Sequence, residues 1–169
     1  MKAYIELIEK DNLPYYANQG DAGMDIRASE DIVIKPRETK IVKTGVKIAV
    51  PEGVHIDVRP RSGLSSKTPL RICNAPGTID CKYRGEIGII VQNTSLPFTI
   101  DDDMNIIKND KEYTIDTEGN KEGTYIIKKG DRIAQLVFLQ NISTEFEVID
   151  NILDIEGNRG GGFGSSGTN

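Results

Sequence analysis

The stretch CNAPGTIDCKYRGEIGIIV, residues 73–91, carries the clearest structural signal in the chain. Gly77 and Gly85 lack side chains, so two backbone segments can approach closely at these positions. The run that closes the stretch, IGIIV, is rich in β-branched residues, which favour strands. We therefore expect a β-hairpin that leads into a strand.

Asp80 and Tyr83 lie on the walls of this predicted hairpin. A carboxylate held there can act as a general base on water, an effect worth ~10²–10⁴ in rate. The alternative is an ordinary turn aspartate that pairs with Lys82 or Arg84.

Short segments rich in β-branched residues recur along the rest of the chain. They are AYIELI, DIVI, KIVKTGVKIAV, VHIDVRP, EIGIIVQ, TYIIK, RIAQLVFL and FEVI, with Gly, Pro, Asn and Asp between them. Helical periodicity never persists for the roughly ten residues that a helix needs. This pattern predicts an all-β, jelly-roll-like barrel or sandwich, with a single helical turn around SGLSSK.

The composition describes one soluble domain. Of the 169 residues, 37% are hydrophobic and 28% are charged, and a chain of this length buries roughly 70% of its unfolded surface. No apolar run approaches the ~20 residues of a membrane span. Glu6 and Glu9 interrupt the segment where a signal peptide needs an apolar core. We expect a cytoplasmic protein that contacts no membrane.

Charge and residue content narrow the chemistry. A net charge of -5 argues against direct binding of nucleic acid, although a few arginines and a divalent cation can still form a local anion site. The single histidine, His55, alternates with Val54 and Ile56 and is expected to face away from the core. Cys73 and Cys81 lack CxxC spacing and are expected to be free thiols. Catalysis should therefore depend on carboxylates or a metal ion.

Two regions depart from the strand pattern. Residues 99–123 are strongly charged and lie between two strands, which indicates a surface insertion. Residues 158–169 are glycine-rich, as expected either of a disordered terminus or of an arm that closes over a ligand. We expect a β core over residues 1–157, which carries the insertion, and a flexible C-terminal arm.

Three further motifs carry polar groups that suit a phosphorylated ligand. Asp25 follows a Gly-Asp-Ala-Gly turn, where a capping aspartate is the simpler interpretation. Arg61, Ser62 and Gly63 combine a guanidinium with backbone N–H groups at the start of a helical turn, although a polar loop has the same composition. Gln135 lies in an apolar run, so its amide needs either a backbone partner or a ligand.

Taken in order, five segments resemble the five motifs of the trimeric dUTP pyrophosphatases, or dUTPases. They are DAGMDIRAS, PRSGLSS, NAPGTIDCKYRGE, GDRIAQLVF and RGGGFGSSG. The resemblance runs from about residue 20 to residue 167. Five motifs in the same order are far more specific than any one of them.

The resemblance implies hydrolysis of dUTP to dUMP and pyrophosphate with Mg²⁺, in a jelly-roll homotrimer whose C-terminal arms are exchanged between subunits. Asp80 would be the base that deprotonates the water attacking the α-phosphorus. Asp25 and Gln135 would contact Mg²⁺ through its water molecules. Tyr83 would lie under the deoxyribose and exclude a 2′-hydroxyl.

The resemblance also implies a set of substrate-binding residues that serve the uracil, the sugar and the phosphates. In the arm, Phe163 would stack on the uracil, and an arginine and Ser165 would hold the γ-phosphate. The full set is Arg61, Ser62, Gly63, Asn74, Gly77, Thr78, Ile79, Tyr83, Gln135, Arg159, Phe163, Gly164 and Ser165.

The chain departs from the family pattern at two positions that matter. Aligned on Phe163, Asn158 stands where the family has its arm arginine, and Arg159 follows one residue later. Lys82 stands where many members carry a second acid. The first departure affects the grip on the γ-phosphate, and the second changes the local charge beside Asp80.

The insertion resembles the extra segment of phage-encoded dUTPases from Gram-positive hosts, some of which also bind a repressor protein. Residues 99–123 are then either a repressor-binding surface or a tolerated surface loop. Two other functions stay open. One is a dCTP deaminase-like nucleotide enzyme, which shares the fold, and the other is a regulatory binding module without essential catalysis.

Overall fold

The computed structural model describes residues 1–8 and 10–157. Within these residues the regular secondary structure is almost entirely β-strand, which confirms the predicted all-β, jelly-roll-like fold. The helical turn predicted at SGLSSK is also confirmed, as α1 (Ser62–Lys67). No helix in the described ranges is long and apolar enough to cross a membrane.

The strands of the described residues are short and follow one another closely. They are β1 (Tyr4–Leu7), β2 (Met24–Arg27), β3 (Ile32–Ile34), β4 (Thr39–Lys43), β5 (Val46–Ala49), β6 (Val54–Pro60), β7 (Leu70–Ile72), β8 (Gly77–Ile79), β9 (Gly88–Asn93), β10 (Phe98–Ile100), β11 (Ile106–Lys108), β12 (Glu112–Thr114), β13 (Thr124–Ile127) and β14 (Arg132–Gln140). Short 3₁₀ helices span Lys10–Asn12 and Ile152–Asp154.

Two sheets carry most of the core. One has the strand order β2-β14-β6-β8 and the other the order β4-β9-β7. The long strand β14 pairs antiparallel with both β2 and β6, so segments distant in the sequence become neighbours. The buried side chains of the two sheets belong to one hydrophobic cluster.

Strand β6 illustrates how the sequence divides the first sheet into two faces. Val54, Ile56 and Val58 are buried in the core, as predicted. Since side chains alternate along a strand, His55 and Asp57 lie on the opposite face, where the His55 Nε2 atom is 3.5 Å from an Asp57 carboxylate oxygen. We call this second side of the sheet the outer face.

The region predicted as an insertion contains two different structures. β10 and β11 form an antiparallel hairpin, in which Ile100 and Ile106 are paired and both exposed. β12 instead pairs in parallel with β13, and the rings of Tyr113 and the buried Tyr125 have centroids 5.8 Å apart. Residues 98–108 therefore project from the body, whereas residues 112–114 belong to a sheet.

Residues 141–157, which follow β14, are exposed throughout. The segment FEVI predicted a strand here, but residues 141–149 have no regular structure. Phe146 and Val148 are 92% and 97% exposed. The prediction was wrong for the isolated chain because no described strand pairs with this segment, and a strand needs a partner for its backbone groups.

Candidate active site

A pocket lies between the stretch 74–90 and the β2-β14-β6-β8 sheet. The β-hairpin predicted for this stretch was wrong as a strand pairing, because β8 pairs with β6 whereas β9 pairs with β4 and β7. Strand β8 pairs with β6, so Gly77 lies opposite Val58. The pocket has a volume of about 140 Å³ and is lined on its apolar side by Val58, Ile87 and Ile89. The structure brings five of the residues named from the sequence to this pocket: Asn74, Gly77, Thr78, Ile79 and Tyr83.

Close contact between Asn74 and Gly77 shapes the polar side of the pocket. A Cβ atom at Gly77 would lie 2.9 Å from Nδ2 of Asn74, closer than side chains normally pack. Glycine therefore allows the amide to sit directly against β8. An amide beside strand backbone offers both donors and acceptors, which is what the planar edge of a nucleobase requires.

Asp80 and Tyr83 lie in one turn that follows β8. The backbone N–H of Tyr83 donates to the Asp80 carbonyl at 3.0 Å, and the Tyr83 hydroxyl donates to the Glu86 carbonyl at 2.9 Å. The ring lies against Gly85, where a Cβ atom would overlap it. One turn thus carries both a carboxylate and, three residues later, an aromatic ring that lines the pocket.

The sequence left open whether Asp80 pairs with a neighbouring cation. The Arg84 guanidinium donates to the carbonyls of Cys81 and Tyr83 at 2.6 and 2.7 Å, which directs it to the backbone of its own turn. Asp80 is exposed to solvent. Its carboxylate is therefore accessible to water and to a substrate.

Asp25 is the centre of a second polar cluster. The side chain is 2% exposed, and its two oxygens accept hydrogen bonds from Arg61 Nε at 2.9 Å and Arg132 Nη1 at 3.0 Å. Gln135 Nε2 lies 3.4 Å from the same carboxylate. Two guanidinium groups compensate the cost of burying this charge, so the cluster is rigid as well as cationic overall.

Helix α1 begins next to this cluster. Arg61 is its N-cap residue, and no side chain caps the first turn. The N–H groups at the start of a helix have no intrahelical acceptor, so those of Ser62 and Gly63 are free to bind an external oxygen. Together with the Arg61 guanidinium they suit a phosphate group.

The pocket and the cluster lie on opposite sides of one sheet. In the strand register Gln135 is paired with Asp25 on one side and with Arg59 on the other. Arg59 follows the core residue Val58 in β6, and side chains alternate along a strand, so this row occupies the outer face. The pocket, in contrast, is lined by core residues such as Val58.

Arg132 was not singled out from the sequence, although it lies in the quoted segment GDRIAQLVF. Its role depends on the pairing of β14 with β2, which no local pattern encodes. The arm residues Arg159, Phe163, Gly164 and Ser165 lie outside the described residues.

The expected Mg²⁺ must be judged from the donor groups present. Within residues 1–8 and 10–157, no group of three or more Asp, Glu, His or Cys side chains is arranged to hold a metal ion. The Asp25 carboxylate is already bound by two arginines. These residues fit a hydrated Mg²⁺ that is carried mainly by substrate phosphates, which is the ion's usual mode of binding.

Comparisons with family models, with curated proteins and with solved structures all match dUTPases. The dUTPase family model matches residues 9–108. A deoxyuridine 5′-triphosphate nucleotidohydrolase of Leifsonia xyli subsp. xyli is 42% identical over 164 residues, which cover 96% of this chain and 90% of the relative.

Solved structures of phage enzymes are also similar. The dUTPase of Staphylococcus bacteriophage 80alpha, determined with dUPNHPP, has a TM-score of 0.81 and 34% identity to this chain, and the match covers 98% of both chains. That structure is described in connection with the control of virulence-gene transfer by phage dUTPases. A mutant dUTPase of phage phi11 of S. aureus, described with a structural Mg(II) ion, has a TM-score of 0.70 and 30% identity over 90% of this chain and 99% of that one. Another structure of the phi11 enzyme shows a species-specific insert. The chain therefore belongs to the dUTPase family and is an enzyme that hydrolyses dUTP.

Proposed function

We propose that the chain converts dUTP to dUMP and pyrophosphate, in the cytoplasm, by attack of a water molecule on the α-phosphorus with Asp80 as general base. The observation that carries this mechanism is the single turn that joins the exposed Asp80 to Tyr83, whose ring lines the pocket. An accessible carboxylate there can accept a proton from water, an effect usually worth ~10²–10⁴ in rate.

The pocket would select both the base and the sugar. Asn74 and the backbone at Thr78 and Ile79 would bind the polar edge of uracil, and the close Asn74–Gly77 contact leaves little space for a larger base. Tyr83 would lie under the deoxyribose. Because its ring is held between Gly85 and the Glu86 carbonyl, it would clash with a 2′-hydroxyl rather than move aside.

The second cluster would bind the triphosphate. Arg61, Ser62, Gly63 and Gln135 offer a guanidinium, backbone N–H groups and an amide to phosphate oxygens. Asp25 and Gln135 would hold Mg²⁺ through its water molecules, and the ion would supply positive charge to neutralise the phosphates. Asp25 would also fix the orientation of Arg61, because the two side chains are hydrogen-bonded at 2.9 Å.

We further propose that the active enzyme is a homotrimer whose C-terminal arms are exchanged. The proposal is supported by the position of the pocket and the Asp25 cluster on opposite faces of one sheet. A single nucleotide would reach both only if the pocket of one copy met the cluster of another. The exposed side chains of Phe146 and Val148, which lead into residues 158–169, also favour contacts with a neighbouring copy.

A substrate panel tests this function. With Mg²⁺, pyrophosphate release should be fast with dUTP and much slower with dTTP, dCTP and UTP. The pocket would exclude the methyl group of thymine, cytosine presents a different hydrogen-bonding edge, and Tyr83 would clash with the 2′-hydroxyl of UTP. Equal turnover of all four nucleotides, or none of dUTP, would contradict the proposal. Ammonia release from dCTP, measured in parallel, would instead support the dCTP deaminase-like alternative.

A regulatory role for the insertion is a second proposal, and the hairpin of β10 and β11 is the observation that favours it. Phe98, Ile100 and Ile106 are exposed, and the register places them on one face of the hairpin. Exposed apolar side chains grouped on one face are typical of a protein-binding surface. We propose that this face binds a repressor protein, as the phage-type resemblance implies.

Replacing residues 98–108 by a short Gly-Ser linker should abolish repressor binding and leave dUTP turnover unchanged. The replacement spares β12 and the hydrogen bond from Asn109 N–H to the Pro97 carbonyl, so the base of the hairpin keeps its geometry. Size-exclusion chromatography with a candidate repressor and the pyrophosphate assay measure the two properties. Repressor binding that survives the replacement would locate the regulatory surface elsewhere.

A further inference from the structure

Glu86 connects the Tyr83 ring to a turn that lies outside the pocket. Its Oε1 atom accepts a hydrogen bond from the Gly45 N–H at 2.8 Å. Its main-chain oxygen accepts the hydrogen bond from the Tyr83 hydroxyl at 2.9 Å. Glu86 thus supplies the oxygen that accepts from the Tyr83 hydroxyl, and its side chain is held by the turn between β4 and β5.

That turn is itself well anchored. Thr44 is fully buried, and its hydroxyl donates to the Ile87 carbonyl at 2.6 Å. The Ile87 N–H donates to the Val46 carbonyl at 2.8 Å. Gly45 has a φ angle of 69°, a left-handed conformation that glycine adopts without strain. Three hydrogen bonds therefore tie residues 86 and 87 to residues 44–46.

The position of Tyr83 depends on this connection. The ring rests on Gly85, which carries no side chain to hold it, and the hydroxyl is held only through the Glu86 carbonyl among the described residues. The peptide that carries the Glu86 carbonyl is held directly by the bond from the Ile87 N–H to Val46 and, through the Glu86 side chain, by the bond to Gly45. Loss of the Gly45–Glu86 bond leaves this peptide held at one end only, so the ring is freer to tilt. A ring that can tilt would accommodate a 2′-hydroxyl.

We propose that Glu86 is a positioning residue for Tyr83, so that discrimination between deoxyribose and ribose depends on a carboxylate acting through its bond to Gly45. The inference rests on the proposed function, in which Tyr83 lies under the sugar. It adds that the selectivity of the site is set partly by the turn between β4 and β5.

The test compares Glu86→Ala with Glu86→Gln, using kcat/KM for dUTP and for UTP together with the melting temperature. Glu86→Ala should raise the ratio of UTP to dUTP turnover about tenfold, as expected for the loss of one structural hydrogen bond. Glu86→Gln should keep the wild-type ratio because its amide oxygen can still accept from Gly45. Glu52→Ala, at an exposed position in another turn, is the matched control.

An unchanged ratio in Glu86→Ala would overturn the proposal. An equal loss on both substrates with a lower melting temperature would also overturn it, because a purely structural role has that signature. Should Glu86→Ala fail to fold, Tyr83→Phe removes the same hydroxyl contact and keeps the ring, and it should raise the ratio similarly. A wild-type enzyme inactive on dUTP would contradict the proposed function instead.

Discussion

Asp80→Asn should lose most of its dUTP turnover, by ~10²–10⁴-fold in kcat, and still bind the nucleotide. The amide has nearly the same shape as the carboxylate but cannot accept a proton from water. The turn should survive the substitution because it is held through the Asp80 carbonyl and not through the side chain. Pyrophosphate release measures kcat, and calorimetric titration with a non-hydrolysable dUTP analogue measures binding.

The control for this substitution is Asp102→Asn. Asp102 is exposed near the tip of the hairpin formed by β10 and β11, and the same loss of charge there should leave turnover unchanged. A near-normal kcat in Asp80→Asn would exclude Asp80 as the general base. Loss of nucleotide binding together with turnover would indicate that Asp80 shapes the pocket rather than activating water.

Truncation after Gly157 should leave the fold intact and reduce turnover by about 10²-fold. The buried hydrophobic cluster involves no residue beyond Phe138, so the deletion removes no core contact among the described residues. The family resemblance assigns Phe163 and Ser165 to the uracil and the γ-phosphate. Loss of such positioning groups typically costs a factor of this order.

Three measurements separate the outcomes of the truncation. Thermal unfolding and light scattering report whether the fold and the assembly persist, and pyrophosphate release reports catalysis. A chain that ends at Gly167, after the fifth motif, is the matched control and should behave like the full-length protein. An unfolded truncated protein would mean that residues 158–169 belong to the core, and full activity would mean that they are dispensable.

Local patterns accounted for the fold class and for the pocket. Alternation of Val54, Ile56 and Val58 predicted the inward face of β6. Gly77 and Gly85 predicted close approach, although the groups that lie against them are the Asn74 amide and the Tyr83 ring rather than a second backbone. These features depend on residues that are neighbours in the sequence. Pattern and propensity describe such neighbours well.

Contacts between distant segments were harder to predict. The hydrogen bond between Arg132 and Asp25 joins residues that are 107 positions apart, and no local signal indicates that β14 pairs with β2. The parallel pairing of β12 with β13 was likewise hidden within a charged segment that predicted only a surface loop. The strand predicted at FEVI is absent for the opposite reason, because the local pattern favours a strand but no described strand pairs with this segment.

The two-faced sheet has a consequence for cooperation between copies of the chain. If each site takes its nucleoside pocket from one copy and its Asp25 cluster from another, every sheet borders two sites. One copy defective in both its pocket and its Asp25 cluster would then impair two of the three catalytic centres of a mixed trimer, so activity would fall faster than the fraction of such chains. A copy defective in only one of the two would impair a single centre.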